Sequence, residues 1–100
     1  MDINWIKERI KTNEYFYSDH ADQERMNDNL LITEIEMALN NGILIEKYSD
    51  TGRGKSGLVA GFTDTGKPVH IVCGGSAGRL CIITVYIPTA PKFRNPFERG

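Results

Sequence analysis

The sequence predicts an α+β fold, N-terminal helices packed on one face of a mainly antiparallel sheet of four to five strands, and three observations predict it. In the N-terminal part, Ile3, Ile6 and Ile10, and later Ile35, Ala38 and Leu39, recur at helical spacing. From Ile43 onward the chain changes to short runs rich in β-branched and aromatic residues. Two turn-forming clusters, Asp64-Thr65-Gly66-Lys67 and Gly75-Ser76-Ala77-Gly78, separate the last three of these runs. Helices first and an antiparallel meander after is the order of an α+β domain.

The first helix is expected over residues 3–12, after an Asp2 cap and with Trp5 helping to dock it. Tyr15-Phe16-Tyr17 reads as a first strand or a buried extended link. Ser18 or Asp19 then caps a strongly polar helix that runs to about Asp28. Thr33 followed by Glu36 reads as the capping box of a third helix, which Asn41-Gly42 stops. Strands follow at residues 43–48, 58–63, 68–74 and 80–86, with a polar Gly-rich loop, residues 49–56, after the first of them. Beyond Pro88 the prolines and bases suggest an extended basic tail, residues 89–100, on a single domain whose core spans about residues 3–88.

Alternation sorts the strand side chains onto two faces. A two-residue turn at Thr65 and Gly66 would set Gly61 opposite His70, and a turn centred near Ala77 would set Thr84 opposite His70 as well. Leu58, Ala60, Phe62, Val69, Ile71, Cys73, Cys81, Ile83 and Val85 then form a face without charge, expected to lie under the helices. The other face carries Val59, Gly61, Thr63, Val72, Leu80 and Ile82 together with His70, Thr84 and Tyr86, a polar trio suited to the floor of a shallow site.

Composition bounds the partners. Residues 1–50 hold eleven acids and five bases, net −6, whereas residues 51–100 hold two acids and seven bases, net +5. The strand half, with Arg53, Lys55, Lys67, Arg79, Lys92, Arg94 and Arg99, is suited to a polyanion. The opposite charges could equally pair within the fold. No apolar run is long enough to span a bilayer and no leader pattern opens the chain, so a soluble, cytoplasmic protein with no membrane partner is expected. Cys73 and Cys81 fall at facing strand positions on the apolar side, outside any C-x-x-C pair, and are expected to be reduced core residues.

Few motifs carry chemistry. Gly54-Lys55-Ser56 looks like the end of a phosphate-binding loop, but that motif needs a glycine where Ser49 stands and a helix where a strand begins at Leu58. Lys55 and Arg53 remain loop cations able to touch phosphate. The two histidines, His20 at the start of a helix and His70 in mid-strand, suit proton transfer near neutral pH, alone or with a tyrosine. Each also has a structural reading, as a helix-start residue bonded to backbone and as a satisfied half-buried imidazole. No metal-ligand spacing, cofactor motif or nucleophile elbow is present in the sequence.

Ser18-Asp19-His20-Ala21, Arg25-Met26, the run from Gly42 to Tyr48, Gly66-Lys67-Pro68-Val69-His70 and the run from Ile83 to Pro88 occur in this order over roughly residues 15–90. Together they resemble the bacterial domain-of-unknown-function family 4258. That family is similar to the RelE and BrnT toxins, within the barnase-, EndoU- and RelE-like ribonuclease group. The resemblance implies a RelE-like fold and the toxin component of a bacterial type II toxin–antitoxin system. It implies a cognate antitoxin, of zinc-finger and helix-turn-helix type, as partner. Carried over by position, His20 and Arg25 come from the helix, His70 from the central strand, and Thr84 and Tyr86 from the last strand. The family spacing places His and Arg four apart; here they are five apart, which turns Arg25 to about 140° from His20 and makes Glu24 its near neighbour, able to orient it. Asn29-Leu30-Leu31-Ile32 stands where the family has Arg-Gly-Ile.

The leading expectation is a metal-independent endoribonuclease that cleaves RNA by 2′-hydroxyl attack, free or on the ribosome. His70 or His20 would transfer protons, Tyr86 would act as acid or phosphate contact, Thr84 would position, and Arg25, Lys55 and Arg79 would bind the substrate. The alternatives are a non-catalytic RNA-binding or protein-interaction module of the same fold and a regulatory partner that binds through a strand edge or the tail.

Overall fold

The structure, a computed structural model, describes residues 1–48 and 55–88 and the backbone of Phe93–Asn95 and Glu98–Arg99. Helix α1 spans Ile3–Lys11, strand β1 Tyr15–Tyr17, helix α2 Asp19–Asn27 and helix α3 Ile32–Asn41. Strands β2 Ile43–Tyr48, β3 Ser56–Phe62, β4 Pro68–Ser76 and β5 Arg79–Tyr86 follow, then β6 Phe93–Asn95 and β7 Glu98–Arg99. The predicted α+β class is the observed one. The expected loop up to residue 54, with Arg53, lies outside the described residues, as does Lys92. Arg94 and Arg99 fall on the short β6–β7 ladder, an antiparallel pair within what the sequence suggests is an extended tail.

Each helix begins where the chain supplies an acceptor. Asp2 Oδ1 accepts the Trp5 N–H at 2.9 Å and Ser18 Oγ accepts the Ala21 N–H at 3.0 Å, each satisfying one of the unpaired N–H groups of a first turn. The third helix starts earlier than Thr33 suggests, because Glu34 takes the Leu31 N–H at 2.9 Å. Glu36, expected in a capping box, instead accepts the Tyr15 hydroxyl at 2.6 Å. At the other end of α3 the Asn41 side-chain amide pairs with both the N–H and the C=O of Phe62.

The main sheet has the order β1-β5-β4-β3-β2, with β1 parallel to β5 and every other pairing antiparallel. The three helices cover one face, where Ile6, Ile10, Ala21, Ile35, Ala38 and Leu39 pack on Val59, Val69, Ile71, Cys73, Leu80, Ile82 and Val85. At Gly61 a Cβ would lie 1.9 Å from the Ala38 carbonyl oxygen, so α3 rests directly on the β3 backbone.

Two registers differ from expectation. The β3–β4 loop has three residues: the Gly66 N–H donates to the Thr63 carbonyl, Gly66 takes φ +83°, and the Thr63 N–H donates to the Lys67 carbonyl. This is a turn followed by a left-handed residue, and it slides β3 by one so that Ala60, not Gly61, opposes His70. A one-residue slip exchanges the faces. Val59 and Gly61 therefore meet the helices, and Leu58, Ala60 and Phe62 take the opposite side. In β5 the pairing shifts between Val72–Thr84 and Cys73–Ile82, which leaves Ile83 as an extra, bulged residue. Before the bulge Leu80 and Ile82 point to the helices while Cys81 and Ile83 point away; after it Val85 points in and Thr84 and Tyr86 point away. Tyr86, and not Thr84, lies opposite His70. The two-residue turn at Ala77 and Gly78, which sets Ser76 opposite Arg79, separates the cysteines: both are free, and they stand on opposite faces, Cys73 opposite Ile82 and Cys81 opposite Gly74.

Candidate functional site

The bulge in β5 leaves backbone groups that the β4 ladder does not use, and α2 takes them. The Ser18 N–H donates to the Ile82 carbonyl and Ser18 Oγ donates to the Ile83 carbonyl, both at 2.9 Å. The Val85 N–H donates to Glu24 Oε1 at 3.1 Å. The start of α2 thus closes the edge of β5 where β1 has ended, and fixes the twist that turns Thr84 and Tyr86 to the face away from the helices.

On that face His70 and Tyr86 meet. The His70 Nδ1 and the Tyr86 hydroxyl are 3.3 Å apart, and the two rings contact edge to face with centroids 5.3 Å apart. His70 is fully buried and Tyr86 is half-buried. Thr84, opposite Val72, stands beside them on the same face.

The other expected site residues are distributed around this pair. His20 is exposed on α2 and its Nε2 lies 3.4 Å from Glu24 Oε2, so one carboxylate joins the imidazole to the Val85 N–H. Arg25 is on the helix side. Its Nε bonds Asp22 at 2.8 Å, its Nη1 reaches the Leu30 carbonyl, and its guanidinium lies over Tyr17 at 5.9 Å. Lys55 and Arg79 are exposed.

A groove of about 590 Å³ lies on the same sheet face, from Val72 toward the β4–β5 turn. Val72, Gly74, Cys81 and Ile83 form its floor, Phe16 of β1 borders it on one side and Lys55 on the other. A Cβ at Gly74 would stand 2.7 Å from Cδ1 of Ile83, so glycine keeps the floor low. The lining holds a cation and three serines, and no acidic side chain among the described residues. Arg79 lies over Phe16 with its Cζ 4.8 Å from the ring centroid. Burial raises the Cys81 thiol above its ordinary pKa, which keeps it neutral in the floor. Sequence reasoning assigns neither Phe16 nor Cys81 to the site, because Phe16 reaches it only through the parallel β1–β5 pairing and Cys81 only through the register of the Ala77–Gly78 turn. Among the described residues no group of three or more His, Cys, Asp or Glu side chains is placed to hold a metal ion, and no helix is long and apolar enough to cross a membrane.

The model of a family described as a domain of unknown function (DUF4258) matches residues 17–87, which include every element of the site except Phe16. No curated protein and no solved structure matches the chain.

Proposed function

The chain belongs to the DUF4258 family, and from that premise we propose that it is an endoribonuclease related to the RelE and BrnT toxins, the toxin component of a toxin–antitoxin pair. The observation that carries the reading is the Tyr86 hydroxyl 3.3 Å from Nδ1 of a fully buried His70, on the sheet face that also bears a groove lined by a cation and, among the described residues, no acid. A phenol backed by an imidazole can give a proton and recover one. In this reading a base removes the proton of a ribose 2′-hydroxyl, the oxygen attacks the neighbouring phosphorus, and the bond to the 5′-oxygen breaks as Tyr86 protonates it. His70 is the positioning group behind Tyr86. His20, oriented by Glu24, is assigned the 2′-hydroxyl proton, and Thr84 positions the ribose. Lys55 and Arg79 offset the phosphate charge. Arg25, engaged by Asp22, Leu30 and Tyr17, is assigned a structural part.

The test is cleavage of RNA, both free and in a translating extract, by wild type and by Tyr86→Phe with its fold verified by circular dichroism. The reading requires cleavage by wild type and a loss of about 100-fold or more in the variant, the usual scale of general acid catalysis. Intact RNA in both settings, or an unimpaired variant, would reject it. One observation favours a second reading, a non-catalytic RNA-binding or protein-interaction module: His20 is 69% exposed and paired with Glu24 while His70 is fully buried, so the two imidazoles occupy separate surroundings. Either reading leaves Asp19, exposed at the start of α2, for a basic partner such as an antitoxin.

A further inference from the structure

The groove over Gly74 and Ile83 does not end at Gly75. A second depression of about 480 Å³, lined by Met1, Asp2, Trp5, Lys55 and Gly75, shares Lys55 and Gly75 with it. Each depression has one aromatic wall, Phe16 in the first and Trp5 in the second. Each ring is fixed by a guanidinium, Arg79 over Phe16 at 4.8 Å and Arg9 over Trp5 at 5.3 Å. Among the described residues the one acid in the lining of the second, Asp2, is engaged with the Trp5 backbone N–H as the cap of α1. Gly75 sits at the junction, where a Cβ would come 3.8 Å from Cη2 of Trp5 and a longer side chain would close the passage. Lys55 is exposed beside it.

Two aromatic walls on either side of one lysine match the repeat of a single-stranded nucleic acid, in which bases alternate with phosphates. We infer that the two depressions form a track for two successive nucleotides of single-stranded RNA, one base against Phe16, the next against Trp5, with Lys55 on the phosphate between them. The inference rests on the nuclease reading only for the direction of the chain. The groove floor begins at Val72, two residues along β4 from His70, about 7 Å at the rise of a strand. A strand seated in the track would therefore bring its next phosphodiester to Tyr86. Base identity is not read by hydrogen bonds here, since the walls offer ring faces and the lining polar groups are mainly serine hydroxyls, so the track accepts any base.

Trp5 is the one tryptophan of the sequence, and its fluorescence reports a base placed on it. The probe is a tetranucleotide with 2′-O-methyl riboses, which has no 2′-hydroxyl to attack, compared with an abasic backbone of equal length and charge at one salt concentration. The tetranucleotide should quench Trp5 saturably and bind about tenfold more tightly than the abasic backbone, the scale of one stacked base. Phe16→Leu, which keeps an apolar wall without a π face, should lose about tenfold in affinity, and Lys55→Ala about fivefold with a shallower salt dependence. Gly75→Leu should abolish the Trp5 quenching while leaving circular dichroism unchanged. Equal binding of the abasic backbone, an unaltered Phe16→Leu, or no quenching at all would overturn the track. Cleavage is followed separately with ordinary RNA. Saturable quenching without cleavage would uphold the track and reject the nuclease; cleavage that depends on Tyr86 without quenching would do the reverse.

Discussion

Phe16 and Tyr17 are neighbours in β1 and carry the same kind of contact, a guanidinium over an aromatic ring, on opposite faces of the sheet. On the helix side Arg25 is 19% exposed and also bonds Asp22 and the Leu30 carbonyl, so its charge is used within the fold. On the other side Arg79 is exposed, with Phe16 at the wall of a groove. The difference teaches that residue type alone does not decide whether a cation is held by the fold or left at the surface. What separates the two arginines is whether the charge is already neutralised inside the protein.

The comparison can be broken most forcefully at Gly61. A Cβ there collides with the Ala38 carbonyl, so Gly61→Ala should destabilise the fold by about 3 kcal/mol or more, at the upper end for overpacking; an unchanged thermal midpoint would show that α3 does not rest on β3. Next comes the arginine pair. Arg25→Ala should cost about 1–2 kcal/mol in denaturant unfolding, through lost packing and a carbonyl and carboxylate left without their partner. Arg79→Ala should stay within about 0.5 kcal/mol of wild type and instead weaken RNA binding. If Arg79→Ala proved the more destabilising of the two, the distinction between the faces would fail.

The tyrosines of the helix side sharpen it further. Tyr15→Phe removes the donor to Glu36 and should cost about 1 kcal/mol. The Tyr17 hydroxyl is buried with no partner in hydrogen-bond geometry among the described residues, so Tyr17→Phe should be neutral or slightly stabilising. Burial pushes the Tyr17 phenol from 10.0 up to about 12. Folding therefore favours the neutral phenol, and its contribution is complete below pH 10 and disappears as the pH rises to about 12. Chemical denaturation across that window should show a shallower decline in Tyr17→Phe than in wild type. Equal slopes would mean that the phenol is not desolvated.

Much of the fold was legible because it rests on local patterns: isoleucine spacing in α1, Ser18 before α2, and β-branched runs between Gly-containing turns. The registers were not, because they depend on turn and bulge residues that a period-two pattern does not mark. Gly66 in a left-handed conformation lengthened the first turn by one residue and exchanged the faces of β3. Ile83 bulged because Ser18 and Glu24, far away in the chain, offered partners for its carbonyl and for the Val85 N–H. His70, Thr84 and Tyr86 still share a face as the alternation suggests, since β4 and the end of β5 keep the expected parity. Tyr86 took the place opposite His70 expected for Thr84, which faces Val72 instead. Glu24 lies beside His20, where helical spacing puts it.

The pairing of β1 with β5 sets an order of events during synthesis. Tyr15, Phe16 and Tyr17 find their partners only at Leu80, Cys81 and Ile82, and Ser18 finds the Ile83 carbonyl across 65 positions. Closing so long a loop is slow relative to forming helices and hairpins. A chain emerging from the ribosome can build α1, α2 and α3, and then the meander as it appears, but its first strand must wait until β5 has been made. The wall that Phe16 supplies to the groove is thus assembled last, and a nascent or truncated chain lacking β5 has neither that wall nor Tyr86.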